Sequence, residues 1–559
     1  MTARLPVVLL WHMHQPQYRD ALTGEYVQPW TALHALKDYA DMAAHLEANP
    51  AARAVVNFTP ILIEQIEDLA REVRDHLAGG PPLRDPVLAA VIDPAPADPG
   101  RRLALVNALV RAQRTQMVEP LPVFRELVDL AGELATPARI AYASDAFIAD
   151  LAVWYHLAWT GETIRRSDAR IAALMAQGRC FGSGDRRCLL AVIGETLASI
   201  VPRYRALAQA GRCELAVSPY SHPILPLLCD FASARESLPD SPLPRHAAYA
   251  GGRVRAEWHM EEAVRVFTRA FGMRPAGCWP SEGAISAEAL EVVERHGFSW
   301  AASSAGVLRG SQPAAEADRP YRRPGSQLAC WFRDDGLSDL IGFTYASWHG
   351  DDAVAHFVAT LVQIAQRHAG AGEGAGRHAV LVALDGENAW EHYPQNGYHF
   401  LKGLYAALAE HPALELTTLG ALGARHLPAA ELTRVRAGSW VHATLATWIG
   451  DAEKNAGWEL LCDAKLAYDR VIAGGALAPA AAAAAGRQLA LCESSDWFWW
   501  FGDYNPAEAV AQFDQLYRRQ LATLYRMLAL EPPDTLAHAI SRGGGAMEQG
   551  GVMRRATAG

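Results

Sequence analysis

The chain is 559 residues long, and several features that would assign a function quickly are missing from it. No apolar run approaches the roughly 18 to 20 residues that a membrane span needs, which excludes a transmembrane reading. The N-terminal run Val7-Val8-Leu9-Leu10-Trp11 is too short for a signal h-region, and no small-residue cleavage site follows it. A cytoplasmic protein is therefore expected. Basic charge is not in excess: 51 Lys and Arg stand against 61 Asp and Glu, a formal net charge of -10. That balance lacks the basic stripe of a nucleic-acid binder. The eight cysteines (Cys180, Cys188, Cys213, Cys229, Cys278, Cys330, Cys462 and Cys492) form no C-x-x-C pair, so zinc ribbons and dithiol redox motifs find no support. Their dispersal suits a reducing compartment. There is no G-x-S-x-G elbow, no Walker loop, no H-E-x-x-H, and no G-x-G-x-x-G following a strand. Gly182-Ser183-Gly184-Asp185 lacks the strand and helix context of a phosphate cradle and reads as a loop.

Tryptophan, by contrast, is abundant. Sixteen occur, several in polar stretches where burial alone explains them poorly. Indole faces flanked by carboxylates suit sugars, which have apolar ring faces and polar rims, although Trp also serves as a core residue. Half the residues are hydrophobic and a fifth are charged, an ordinary globular composition. The length calls for two domains or one elaborated domain.

Short apolar runs that stop abruptly in polar or aromatic residues organise the first three quarters of the chain. Seven candidate strands follow: Pro6 to Trp11, Ala54 to Val56, Glu214 to Val217, Ala276 to Trp279, Phe298 to Ala302, Leu340 to Phe343 and Ala379 to Leu384. Helical periodicity fills the intervals at His34 to Glu47, Ile61 to Arg74, Arg255 to Phe271, Ser286 to Arg295, Asp352 to Arg367 and Gly397 to Ala409. Thr59-Pro60 reads as an N-cap followed by proline at the first helical position. Alternating strands and helices with continuous apolar strands predict an α/β fold with a parallel sheet, here a seven-stranded TIM-like barrel. Reactive-looking residues sit at the C-terminal strand ends, where such barrels place their active sites. Mostly helical text at about 105–211, including Ala143 to Trp159, predicts a helical insertion. Residues 1–425 thus read as a catalytic barrel domain and 426–540 as an all-α bundle with helices at Asn455 to Ile472, Ala478 to Leu491 and Ala507 to Leu530. The glycine-rich end, 541–559, reads as a disordered tail.

Two carboxylates stand at strand ends: Glu282 in Gly277-Cys278-Trp279-Pro280-Ser281-Glu282, and Asp385 in Leu381-Val382-Ala383-Leu384-Asp385-Gly386-Glu387-Asn388. Glycosidic cleavage needs one carboxyl group on each side of the bond. Singly, each has an ordinary explanation. Glu282 fits the first turn of a helix, where the dipole favours it, and Asp385 fits an Asp-Gly turn. Only the pair on this architecture favours catalysis. His12 and His14 leave the first strand on alternate positions, and His222 follows another. With Glu282, Asp385 or His349 as further ligands they allow a metal-dependent hydrolase as a rival reading. A carbohydrate-binding protein without catalysis is a third.

Taken in order, these motifs resemble glycoside hydrolase family 57, the retaining α-glucan-active enzymes that include α-amylases, amylopullulanases, 4-α-glucanotransferases and branching enzymes. The resemblance rests on His14-Gln15-Pro16, on Glu214 to His222 with Pro223 to Leu228, on Trp279-Pro280-Ser281-Glu282, and on Leu384-Asp385-Gly386-Glu387-Asn388-Ala389-Trp390-Glu391. Further along it rests on Gly438-Ser439-Trp440, Trp448-Ile449-Gly450, Glu453 to Trp458 and Ser495 to Asp503, and it runs to about residue 530. The amylopullulanase-like and α-amylase-like members are the most similar in feel. The resemblance implies a seven-stranded barrel followed by a helical bundle, Glu282 as nucleophile and Asp385 as general acid/base. It also implies that His14, Gln15, His222, Trp279, Trp390, Trp440, Trp448, Trp458, Asp496 and Trp497 bind a polysaccharide or oligosaccharide substrate, without metal or cofactor. Ser221 departs from the pattern, standing where a second aromatic is expected before His222.

Overall fold

The computed structural model describes residues 4–93, 96–370 and 377–545. Its centre is a closed parallel barrel of seven strands: β1 (Leu5–Met13), β2 (Ala54–Phe58), β3 (Cys213–Val217), β4 (Gly277–Cys278), β5 (Trp300–Ser304), β6 (Ala329–Arg333) and β7 (Val380–Asp385). Each strand pairs with the next in sequence order, and β7 closes the ring on β1 with His12 opposite Asp385. Strand β1 is buried along its whole length, as a strand covered by helices outside and side chains inside must be. Short flanking strands extend the sheet: Leu414–Leu416 pairs with β1, and Tyr321–Arg322 pairs with β6 and with Ala430–Glu431.

Six of the seven expected strands are present, and one is replaced. Leu340 to Phe343 is not a strand. The Asp334 side chain accepts the Leu337 N–H and caps a helix, Asp335–Asp339, that runs on as a helical turn over Leu340–Thr344. The barrel strand in that region is β6, ending one residue before the cap. Its apolar run was hidden by its shortness and by the acidic cluster that follows. Thr59 stands at the N-cap of helix Pro60–Leu77 in extended conformation, yet its hydroxyl does not cap. It bonds His14 Nδ1 at 3.0 Å instead.

Between β2 and β3 the chain is helical, including Asp145–Ala158 and the 27-residue helix Ser183–Gln209. Beyond the barrel the chain is not helical at once. The stretch 432–451 crosses the barrel mouth without helix and bridges Ile285 to Gly438. Helices Ala452–Ala473, Pro479–Cys492, Ser495–Trp500 and Ala507–Met527 then form the bundle. The first residues of the expected tail are placed: Ser541 is buried and donates to Glu453, and Gly544 and Gly545 donate to the Asn505 carbonyl. The rest of that tail, 546–559, lies outside the described residues.

Bundle and barrel are joined through a buried charge. Glu493, between two bundle helices, accepts hydrogen bonds from Arg255 Nε (2.8 Å) and Nη2 (2.8 Å), His259 Nε2 (2.7 Å) and Tyr249 Oη (2.6 Å). Burial alone would raise this carboxyl, but Arg255 and His259 overcome burial and hold it at about 2. A depressed carboxyl stabilises the fold fully above its unfolded value near ~4.3, and that contribution is lost as pH falls toward the folded value. Glu493→Ala leaves Arg255 buried without its partner. The expected loss is about 3–5 kcal/mol, read as a lower thermal midpoint at pH 7, with the gap to wild type closing as pH falls toward 2.

Candidate active site

The two sequence-expected carboxylates line one cavity of about 520 Å³ at the C-terminal ends of the strands. Glu282 follows β4 in a tight turn, with φ 58° and ψ 23°, a left-handed conformation that costs a non-glycine residue roughly 1–3 kcal/mol. Neighbours hold it there. Gly283 N–H bonds the Pro280 carbonyl (2.8 Å), and Ser303 Oγ donates to the Gly283 carbonyl (2.6 Å). From the crossing segment, the Trp440 backbone N–H bonds the Glu282 carbonyl (3.0 Å), and its indole Nε1 donates to Glu282 Oε2 (2.8 Å). Asp385 ends β7 and accepts from Asn388 Nδ2 at 2.8 Å. The next residue is Gly386, where a Cβ would come within 2.2 Å of Met13 Sδ, so the chain leaves β7 hard against β1.

Three imidazoles floor the site. His222 lies between His12 and His14, with ring centroids at 5.0 and 3.9 Å. His222 also takes a left-handed conformation, φ 67°, and its carbonyl accepts the Ser495 N–H at 3.0 Å. Its Nδ1 meets Ser495 Oγ at 2.9 Å and lies 3.9 Å from Glu282 Oε1. His12 Nδ1 meets Asn57 Oδ1 at 2.6 Å, and His14 Nε2 meets Asp496 at 2.9 Å. Burial, with the neighbouring rings, pushes His12 down to about 3 and His222 well below the usual imidazole value, so both are neutral. The ligand set His12, His14 and His222 is not what the structure gathers. His14, His222 and Asp496 each bring a ligand atom within 4.8 Å of the others, while His12 points its Nδ1 at Asn57.

Burial and the charge of Asp385 raise Glu282 to about 8, against the opposing Trp440 hydrogen bond. Burial also raises Asp385, opposed by Asn388, His14 and Arg333. Two buried carboxyls this strongly coupled cannot both ionise easily, so the pair keeps one proton at neutral pH. A third carboxyl, Glu387, lies two residues beyond Asp385. It lines the cavity, accepts from the His14 N–H (3.1 Å) and Gln15 Nε2 (3.3 Å), and is held neutral by burial and by Asp385.

The expected sugar-contacting residues divide. His14, Gln15, Trp440 and Asp496 line the cavity. His222 lies beneath His14, fully buried. Trp279, Trp390, Trp448, Trp458 and Trp497 are buried cores and do not line it. Trp279 packs behind Trp440, Trp458 stacks on Phe498 at 4.2 Å, and the Trp390, Trp458 and Trp497 indoles donate to backbone carbonyls. Other aromatics line the cavity: Tyr18, Trp30, Trp159, Phe343, Trp499, Trp500 and Phe513, of which Trp499 and Trp500 belong to the stretch Ser495 to Asp503. Arg333 also lines it, with its guanidinium 4.8 Å over the Trp440 ring. These come from the loop after β1, the insertion, the helical turn after β6 and the bundle, so no local motif unites them.

The family model for glycosyl hydrolase family 57 matches residues 8–432, about three quarters of the chain. The chain belongs to glycosyl hydrolase family 57. Solved structures agree in fold. A family 57 branching enzyme from Thermococcus kodakaraensis aligns at 14% identity over 94% of this chain and 90% of that one, with a TM-score of 0.58. The corresponding branching enzyme of Pyrococcus horikoshii gives 15% identity, 95% and 98% coverage and a TM-score of 0.58. An α-amylase from Thermotoga maritima gives 13% identity, 94% coverage of both chains and a TM-score of 0.57. No curated protein sequence matches the chain. Residues 433–545 lie beyond the family match, yet they supply Trp440, Asp496 and much of the aromatic wall.

Trp440→Phe tests the electrostatics directly. It removes the N–H that favours the charged form of Glu282. The Glu282 titration, followed by carboxyl-selective NMR, is expected to rise by about one pH unit or more, since a hydrogen bond to a charged group is worth roughly 1.5–3 kcal/mol.

Proposed function

We propose that this family 57 protein cleaves or transfers α-glucosidic bonds in α-glucans by a retaining double displacement, with Glu282 as nucleophile and Asp385 as general acid/base. The observation that carries the reading is that Glu282 and Asp385 enter one cavity from β4 and β7, close enough for the charge of Asp385 to raise Glu282. The branching-enzyme and α-amylase neighbours supply the substrate class.

The residues can carry out each step. With Glu282 raised to about 8, the free pair holds its proton on Glu282; the reading requires that proton on Asp385 once a positive anomeric centre develops against Glu282. Asp385 gives that proton to the departing glycosidic oxygen as Glu282 Oε1 attacks, while Trp440 keeps Oε2 engaged. Asp385, now ionised, deprotonates a water or a sugar hydroxyl, which displaces Glu282 and restores the anomeric configuration. His12 and His222, neutral, add no competing cation, and His14 is fixed at the cavity wall through both ring nitrogens, by Asp496 and Thr59. Trp30 and Trp500, partly exposed at the cavity wall, offer apolar faces for neighbouring sugar rings. The rival metal-hydrolase reading lacks its own residue set, because His12 bonds Asn57 and stands outside the cluster of possible ligand atoms.

Three outcomes are expected. Glu282→Gln and Asp385→Asn each lower kcat on amylose by about a thousandfold or more; full turnover by Glu282→Gln would sink the nucleophile assignment. The pH profile of kcat/KM is a bell. It falls at low pH as both carboxyls gain protons, and at high pH as the last proton leaves the pair near 8. Trp500→Ala raises KM for long glucans by about tenfold with a smaller change in kcat, whereas Trp458→Phe changes thermal stability and leaves KM alone. Products from amylose and pullulan decide between hydrolysis, seen as new reducing ends, and transfer, seen as redistributed chain lengths.

A further inference from the structure

At the opposite end of the barrel, three segments bring together a second cluster of titratable groups. Asp318 lies on the connection between β5 and β6, His368 near the end of helix Gly350–Gly370, and His378 just before β7. The three residues each place one ligand atom within 4.8 Å of the others. His368 Nε2 meets Asp318 Oδ2 at 2.6 Å, and His378 Nδ1 meets Asp318 Oδ1 at 3.3 Å. The imidazoles lie nearly parallel, with centroids 3.7 Å apart. Asp318 and His368 line a cavity of about 380 Å³, which two more carboxyl residues, Glu316 and Asp334, also line. An incoming cation thus meets an acidic approach, and among the described residues Arg367 is the one Lys or Arg on the same wall.

Two imidazoles aimed at the two oxygens of one carboxylate are held at close quarters. Two imidazoles with a carboxylate are a common donor set for a borderline transition-metal dication, which takes two nitrogens and one oxygen and completes its shell with water. We propose that Asp318, His368 and His378 form a site for a divalent transition-metal cation of the zinc class. Its role is structural. The cluster precedes Val380 at the start of β7, while Asp385 ends that strand about 17 Å away, and this end of such a barrel serves stability rather than chemistry. The bound ion would staple the helix end to the strand and to the β5–β6 connection, and binding free energy would add to folding free energy.

The test uses the full-length protein, stripped of metal by chelator and titrated with Zn²⁺ by calorimetry, with the thermal midpoint measured at each ratio. Wild type is expected to take up one Zn²⁺ at this site with a rise in midpoint. His378→Ala and the milder His368→Gln, which is partly exposed and so spares the core, are each expected to weaken that event by about tenfold or more and to remove the rise. His14→Ala, at the other group of possible ligands, is expected to leave both intact. Indistinguishable titrations for wild type, His378→Ala and His368→Gln would overturn the proposal, as would loss of the binding event in His14→Ala alone.

Discussion

The site depends on two left-handed turns that the barrel does not stabilise by itself. Glu282 and His222 follow neighbouring strands, both with positive φ and neither a glycine. In each case the carbonyl exposed by the turn receives a backbone N–H from beyond the barrel: Trp440 for Glu282 and Ser495 for His222. The side chain of the same residue then returns to the functional group, indole to carboxylate and hydroxyl to imidazole. Strain of this kind persists only when the surroundings over-determine it. The barrel aims the carboxylates, and the C-terminal part fixes the one that must be positioned most accurately.

The same arrangement sets the charge state. Taking Glu282, Asp385 and Glu387 out of water raises all three, and their mutual repulsion raises Glu282 and Glu387 further. Stacked imidazoles answer the same burial by staying neutral, as seen for His12 and His222. His12 and His222 are therefore uncharged beneath the carboxylates. Local hydrogen bonds divide the labour: Asn388 favours a charged Asp385, and Trp440 favours a charged Glu282.

How much of this was legible in the sequence follows from the range of each signal. Strand ends carry their own marks, so β1, β2, β3, β4 and β7 and the residues leaving them were readable, and with them Glu282, Asp385, His12 and His14. Strand β6 and the turn at Leu340–Thr344 were exchanged because both are short apolar runs. What separates them is the Asp334 cap, which acts on the residue after the strand. Tryptophans were the hardest to sort. Trp458 and Trp500 stand in similar text, but the first is sealed between Phe231 and Phe498, while the second stacks on Phe513 at the cavity wall. That difference is set by which helices meet, and no spacing rule within the bundle encodes it. Thr59 shows the same effect in miniature, with a cap-like position whose hydroxyl is spent on His14.

Stability and function are consequently hard to separate at the barrel–bundle boundary. Glu493 is gripped by Arg255, His259 and Tyr249, all from the barrel side. Its next neighbours along the chain are Ser494, Ser495 and Asp496. Ser494 Oγ donates to the Asp496 carboxylate, Ser495 holds His222, and Asp496 holds His14. One buried ion pair thus lies at the root of a continuous set of contacts that ends on the rings of His14 and His222. A buried pair of this kind gains little over well-packed apolar residues, but losing one partner is costly. Its value here is positional: Arg255, His259 and Tyr249 fix Glu493, and the chain running on from Glu493 brings Ser495 to His222 and Asp496 to His14. An apolar replacement of equal volume could keep the bundle attached and still let it slide by the fraction of an ångström that separates a held His222 from a loose one.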